Sequence, residues 1–481
     1  MTLALTLAID QSTQGTKVLL VNPDGSLADK VTQPHRQIIS AQGWISHDLN
    51  EITTNLKALL QKAVQHAGSQ PISGVAISNQ RETAAAWAKD TGQPLTNAIV
   101  WQDNRSTALT AQLAKQPGSA QVQAITGLGL SPYFSGAKFA WLLRHDQAVQ
   151  TAAATDNLCF GTIDAWLVAL LSGNFLTEPS NACRTQLMNL RTGQWDETMC
   201  ALFGIKAQWL PTIIDSNGQF GITDLFGLLP EAVPIISVLG DSQAALFAEN
   251  CLTPGRFKVT FGTGSSVMLN TGEELIQTPL LNTSIAWRRN GRTTYALEGN
   301  VNYSGAIISW LQNNLQLIAD PAATSAMAQA AQPDDTTLLI PAFSGLAVPY
   351  SHPTLKAALV GMTMLTGRNE IIRAGLDAVD YQITDIIKLL QTNFADLIPG
   401  IHVDGGMIKN GYLMQRLSDL AQQPVLPSPI EELSGVGAAL NGLGNQGIQS
   451  TADSNYQPQL SADQATAQLA YWTDQITQLA K

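Results

Sequence analysis

Charge is sparse in this chain of 481 residues. Asp, Glu, Lys and Arg make up only 13% of it against 45% hydrophobic residues, which excludes a disordered polymer and supports sizeable cores. The charge present runs to a net −11 and is spread rather than blocked, so nucleic acid and anionic membrane surfaces are repelled rather than sought. Any anionic substrate must therefore be met by a local arrangement of donors or a metal. Cysteine is scarce too. Cys159, Cys183, Cys200 and Cys251 show no CxxC spacing and no neighbouring His, which excludes a disulfide framework and reads as reduced, buried thiols in a cytoplasmic protein. No apolar run approaches the roughly 18 to 20 residues that span a bilayer. Met1 to Asp10 has neither a basic lead nor a cleavage site, and reads as a strand rather than a secretory signal. GxxxxGK[ST], HRD and DFG strings are all missing, as are zinc-ligand spacings and helical His pairs.

What is there is a repeated pattern. A length of 481 residues suits two large domains. Leu3 to Ile9 reads as a strand, followed by a polar small-residue turn and a second strand, Lys17 to Val21. Asn22-Pro23-Asp24-Gly25 signals a tight turn, and alternation from Leu27 gives a third strand. From Asp48 the period changes: Leu49, Ile52, Leu56, Leu59 and Ala63 fall three or four apart, with Asp48 and Glu51 as a capping box and Gly68 as a stop. Val75 to Ile77 is a short buried strand. Pro234 to Leu239 is another, running into Gly240-Asp241 and an Ala-rich helix. The opening pattern then returns: strand Phe257 to Phe261, turn Gly262-Thr263-Gly264-Ser265-Ser266, strand Val267 to Asn270. Strands interleaved with helices predict an α/β fold, and the repeat predicts an internal duplication with its boundary near residue 245. The division is 1–245 for substrate and a phosphate turn, and 246–481 for nucleotide. Ser461 to Ala480 reads as a final helix whose capping box is Ser461 and Gln464.

Three turns fit a nucleotide. In Asp10-Gln11-Ser12-Thr13-Gln14-Gly15-Thr16-Lys17, small residues let backbone N–H groups reach phosphate oxygens, hydroxyls add donors and Lys17 adds charge. Asp10, at the strand end, suits Mg²⁺. Gly262-Thr263-Gly264 repeats that chemistry in the second half. Val403-Asp404-Gly405-Gly406 ends a strand in paired glycines that admit a flat ligand. Each alone is an ordinary turn; together they imply a nucleotide cleft. For the acceptor, Ser78-Asn79-Gln80-Arg81-Glu82-Thr83 follows a buried strand, where α/β sheets bind ligands. Arg81 and Glu82 suit a diol, provided the chain turns so that neighbours face the same way. Asp241 stands where a helix N-cap would stand, and equally where a carboxylate could take a proton from an acceptor hydroxyl.

These segments, joined by Asn97-Ala98-Ile99-Val100-Trp101-Gln102, Pro132-Tyr133-Phe134-Ser135-Gly136, Gly161-Thr162-Ile163-Asp164, Gly240 to Phe247 and Ala296-Leu297-Glu298-Gly299, resemble in order and spacing the FGGY carbohydrate kinases across roughly residues 5 to 445. Within that family the glycerol kinases are the nearest likeness. The resemblance implies a duplicated actin-like or ribonuclease-H-like two-domain fold with the active site in the interdomain cleft. It implies ATP-dependent phosphorylation of a small polyol or sugar, with Asp241 as general base. Arg81, Glu82, Tyr133, Asp241 and Ser242 would line the acceptor site, and Trp101 would pack on its carbon chain. Thr13, Gln14, Gly15, Lys17, Thr263, Gly305, Gly406 and Asn410 would meet ATP, and Asp10 would organise Mg²⁺. Family members are often homodimers or homotetramers.

Several positions depart from the glycerol kinase pattern. Ser242 stands for a usual Gln, Ser266 for a Phe packing on the substrate carbons, and Ser309 for a Gln near the nucleotide. Phe343 to Ala357 keeps Pro349-Tyr350 but lacks the usual Trp-Asp and Arg. Losing a Phe removes well over 100 Å² of packing surface, which predicts an acceptor as large as glycerol or larger. The segment between Ser216 and Pro234 lacks a regulatory His, so phosphotransfer control is not expected. The alternatives are a ketose kinase such as a xylulokinase, and, from another class, an actin-like ATPase without sugar chemistry. The latter would not need Arg81-Glu82 beside a pocket, nor Asp241.

Overall fold

The computed structural model describes residues 4–350, 352–448 and 455–481; Leu3, placed by the sequence in the first strand, lies outside them. The N-terminal half is built on β1 (Leu5–Gln11), β2 (Gly15–Val21), β3 (Leu27–Pro34), α1 (Leu49–Ala67), β4 (Ile72–Asn79), α2 (Ser135–His145), β5 (Val233–Gly240) and α3 (Asp241–Ala248). Its six-stranded sheet runs from an edge pair at 222–223 through β5, β4, β1, β2 and β3. β1 is antiparallel to β2 and parallel to β4, which is parallel to β5.

The second half repeats this plan with β6 (Phe257–Phe261), β7 (Ser265–Gly272), β8 (Asn282–Arg289), β9 (Arg292–Val301), α4 (Gly305–Asn313), α5 (Arg368–Asn393), β10 (Ile401–Gly405), α6 (Gly411–Ala421), β11 (Val425–Pro427) and α7 (Leu433–Leu443). The strand order is β8-β9-β7-β6-β10-β11. β6 is antiparallel to β7 and parallel to β10, which is parallel to β11. The duplication expected from two strand–turn–strand signals is thus a duplication of whole sheets. A third sheet of five strands, centred on 84–88 and 158–162, grows from the N-terminal half and carries the segments around Trp101 and Tyr133.

Local chemistry explains the element ends, with two corrections. Asp48 caps α1 by accepting from the Asn50 N–H at 2.8 Å, but Glu51 does not complete the box. Its carboxylate takes the Arg36 backbone and guanidinium instead, both at 3.1 Å, because β3 ends alongside. Gly240, not Asp241, is the N-cap of α3, and Asp241 is the first helical residue, which leaves its carboxylate free of a capping duty. The Ser461–Gln464 box is formed, and it opens α8 (Ala462–Leu479). That helix docks on the C-terminal half through Leu469, Trp472 and Ile476, all buried. Trp472 stacks on Tyr381 at 5.0 Å and donates its indole N–H to Asp385 at 2.9 Å.

Each half has its own core, and a further apolar cluster joins them. Ala8, Leu19, Leu239, Phe247, Met268, Ala296, Val436 and Leu440 belong to it. At its centre α3 and α7 cross closely enough that a Cβ on Gly437 would stand 1.9 Å from the Ala244 carbonyl oxygen. The four cysteines are buried and unpaired. Among the described residues no helix is long and apolar enough to cross a membrane.

Candidate active site

The carboxyl ends of β1, β4 and β5 bring Asp10, Arg81 and Asp241 together. Arg81 and Glu82 both face inward because the chain does turn there: Glu82 has φ +60°, a left-handed conformation uncommon for a side chain larger than Asn. The Ser135 hydroxyl at the start of α2 holds that turn by donating to the Glu82 carbonyl at 3.0 Å. Gln80 donates to Gln11 at 3.0 Å and to the Ser12 carbonyl at 3.2 Å, and accepts from Thr83 at 2.8 Å. Thr83 accepts in turn from the Trp101 backbone N–H at 3.2 Å. Gln80 and Thr83 therefore tie the Ser12–Thr13 turn to the Trp101 segment. Trp101 closes the loop by donating its indole N–H to the Thr13 hydroxyl at 2.9 Å. Thr13 keeps its own proton for an incoming oxygen.

Arg81 and Glu82 are members of a buried ionic network. Arg81 donates to Glu298 at 2.8 Å and lies 3.4 Å from an Asp241 oxygen. Arg184, fully buried, meets Glu82 at 2.5 Å and Glu298 at 2.7 Å. Glu298 comes from β9 of the other half, and the Ser266 hydroxyl donates to it at 3.0 Å. Burial alone would push Glu298 upward, but the Arg184 and Arg81 guanidiniums hold it down at about 2. Alternating charges spare each buried ion the cost of standing unpaired. Gly240 is required beside them, since a Cβ there would stand 2.8 Å from the Arg81 Cγ.

Asp241 keeps about a third of its side chain exposed (37%), open to the cleft. It accepts a hydrogen bond from the Ser242 N–H at 2.7 Å. Burial raises its pKa, against the pull of Arg81. Asp10 is 5% exposed, and its Oδ1 has no hydrogen-bond partner among the described residues. Burial pushes Asp10 up to about 6, opposed by Lys17 and reinforced by Asp241. An orphaned, buried carboxylate oxygen at a phosphate turn fits a Mg²⁺ ion held mainly by phosphates and water. Trp101 and Tyr133 stand edge-on at 5.6 Å beside this floor, and Tyr133 meets Phe134 at 5.2 Å.

The nucleotide candidates fall on both rims. Gln14 is exposed and Gly15 buried. Lys17 sits opposite Asp10 in the β1–β2 register, and its ammonium reaches across to Glu432 at 2.5 Å, where Lys30 also arrives at 2.7 Å. On the other side, the Thr263 carbonyl accepts from the Ser304 and Ala306 N–H groups, and Gly262 from Gly305. The second turn is thus seated on the start of α4. Gly406 faces open space. Asn410 caps α6 through Leu413 N–H and donates to Thr324, both at 3.1 Å.

Sequence reasoning missed Arg184, Glu298 as an ionic partner, and Lys258. The Lys258 ammonium is fully buried, donates to Thr260 and lies 3.4 Å from Asp404. The available signal was a lone charge inside an apolar strand, as in Ala296-Leu297-Glu298 and Phe257-Lys258-Val259. All four Arg–carboxylate contacts span more than a hundred residues or join the two halves, so no local window contains them.

Residues 5–248 match the model of the N-terminal domain of the FGGY family of carbohydrate kinases, and residues 257–443 match that of its C-terminal domain. A glycerol kinase of Allorhizobium ampelinum is 37% identical over 490 residues, covering 98% of both chains. Glycerol kinase 1 of Thermotoga maritima is 38% identical, covering 91% of this chain and 90% of its own. Among solved structures, Plasmodium falciparum glycerol kinase with ADP superposes with a TM-score of 0.91 at 30% identity, covering 99% of this chain and 98% of that one.

Proposed function

The chain belongs to the FGGY family of carbohydrate kinases, and from that premise we propose that it transfers the terminal phosphoryl group of ATP to a hydroxyl of glycerol or a related small polyol, with Asp241 as general base. The observation that carries the reading is the Asp241 carboxylate, 37% exposed and 3.4 Å from Arg81 at the carboxyl end of β5. The acceptor oxygen attacks the terminal phosphorus, its proton passes to the Asp241 carboxylate, and the bond to the departing ADP oxygen breaks. Arg81 holds Asp241 in place while its own charge is balanced by Glu298. The backbone of Ser12 to Gly15 and of Gly262 to Gly264 supplies donors for phosphate oxygens from opposite rims. Asp10 would hold Mg²⁺, which when bound neutralises phosphate charge. Residues 1–245 carry the acceptor chemistry and one phosphate turn, and 246–481 the other turn and the remaining nucleotide contacts.

Glycerol is supported as acceptor by the relatives, which are glycerol kinases along nearly their whole length. Ser266 favours a second, wider reading. It spends its hydroxyl on Glu298 and adds no apolar surface to the acceptor side, which leaves room for a four- or five-carbon polyol or ketose. ADP release with Mg²⁺-ATP across glycerol, erythritol, dihydroxyacetone, xylulose, ribulose, xylitol and gluconate tests both. A clear preference for glycerol makes Ser242 and Ser266 tolerated variations; a preference for a longer acceptor assigns them to a widened pocket. No turnover of any acceptor overturns the kinase reading.

A further inference from the structure

The Lys138 ammonium is fully buried inside α2, and no carboxylate pairs with it among the described residues. It donates instead to two consecutive backbone carbonyls, Pro132 at 2.8 Å and Tyr133. Those carbonyls belong to the turn that carries Tyr133 and Phe134, the side chains that stand against Trp101 and under the Arg184 guanidinium. A buried ammonium held by two carbonyls and, at 6.0 Å from its centroid, the Tyr133 ring, with no carboxylate partner among the described residues, is expensive to desolvate, and a residue serving only to fill space there would be apolar. We infer that Lys138 is the positioning residue of the acceptor site, clamping the 131–134 turn so that Tyr133 stands at a fixed distance from Trp101. The inference rests on the acceptor-site reading given above.

Its protonation matters because the neutral amine is a weaker donor than the ammonium. Burial brings Lys138 down to about 7, with Glu82 and Asp103 acting to raise it and Arg105 to lower it. The other groups facing the clamp are Arg184, whose charge is shared between Glu82 and Glu298, and the Tyr133 phenol, which burial raises. As pH climbs past neutrality the clamp loses charge and the aromatic wall loosens, while the nucleotide rim seated on α4 is untouched.

The test is the KM for the preferred acceptor and the KM for ATP, measured from pH 6.5 to 9 in the wild type and in Lys138→Met. The wild-type acceptor KM should be flat at the acid end and rise above neutrality. Lys138→Met should raise it about tenfold, the value of one charge-assisted hydrogen bond, with no further dependence on pH. The KM for ATP should stay within about twofold throughout. A flat wild-type profile, or a variant that raises both KM values together, overturns the inference. Hydrogen exchange of residues 129–134 gives a readout independent of turnover: it should accelerate in Lys138→Met, and unchanged exchange also overturns the inference. A chain that phosphorylates no acceptor while its 129–134 exchange responds to Lys138→Met would defeat the proposed function and leave the clamp standing.

Discussion

Asp10 and Asp241 are carboxylates whose surroundings favour the proton, the reverse of the usual surface Asp. Burial raises both; the Asp241 charge adds to the rise at Asp10, and the Glu82 charge to that at Asp241. Both must be ionised for the proposed reaction, so kcat/KM should fall on the acid side with an apparent pKa near 6, the position to which Asp10 is pushed. The sign for stability is opposite. Because the folded protein holds the Asp10 proton more tightly than the unfolded chain, stability falls as pH rises from about 4 to 6 and stays reduced above. Asp10→Asn should therefore raise stability at pH 8 by up to about 3 kcal/mol, and not at pH 4, while removing Mg²⁺-dependent turnover; denaturant melts at the two pH values check this. Asp241→Asn should lower kcat by about 10²–10⁴-fold, and because folding raises the Asp241 pKa as well, its melt at pH 8 should be no lower than the wild type's. A loss below tenfold would remove Asp241 from the role of base.

At the scale of elements, the last helix is an integral part of the C-terminal half. Trp472 is fully buried, stacked and hydrogen-bonded. Trp472→Ala should cost about 3–5 kcal/mol and lower the melting temperature, while ATP and acceptor KM values hold in the folded fraction. The helix and its capping box were legible because Ser461 and Gln464 are neighbours in sequence. So were the strand–turn–strand pairs, the turn at Asn22 to Gly25 and the periodic face of α1, each written within a dozen residues. Glu51 misled because Arg36 lies outside its own helix. Asp10, Arg81 and Asp241 were legible as candidates, for each follows an apolar strand. What could not be read was their company: Glu82 meets Arg184 from 102 positions away, and Arg81 meets Glu298 from 217. Tertiary pairing of that kind leaves no periodic trace, only an isolated charge among apolar neighbours.

For the whole molecule, Glu298 is the bond that matters most. It serves two guanidiniums of the opposite half, and removing it by Glu298→Ala leaves Arg184 with Glu82 alone and Arg81 with only the more distant Asp241, an excess of buried positive charge. The expected loss is about 3–5 kcal/mol, and calorimetry should show the wild type unfolding in one transition and the variant losing that cooperativity. Its folded pKa of about 2 lies below the ordinary 4.5, so this stabilisation is complete above about pH 4.5 and drains away as pH falls toward 2. The crossing of α3 and α7 at Ala244 and Gly437 carries a different consequence. Each helix follows the last parallel strand of its half's sheet. Two half-length chains meeting through that crossing would touch like with like, the self-complementary contact of a two-fold dimer. The molecule holds a dimer interface inside one polypeptide, where symmetry is no longer obligatory. The two helix entrances have accordingly parted ways: the acid at one, Asp241, is left open beside an arginine, while the acid at the other, Glu432, is spent on Lys17 and Lys30.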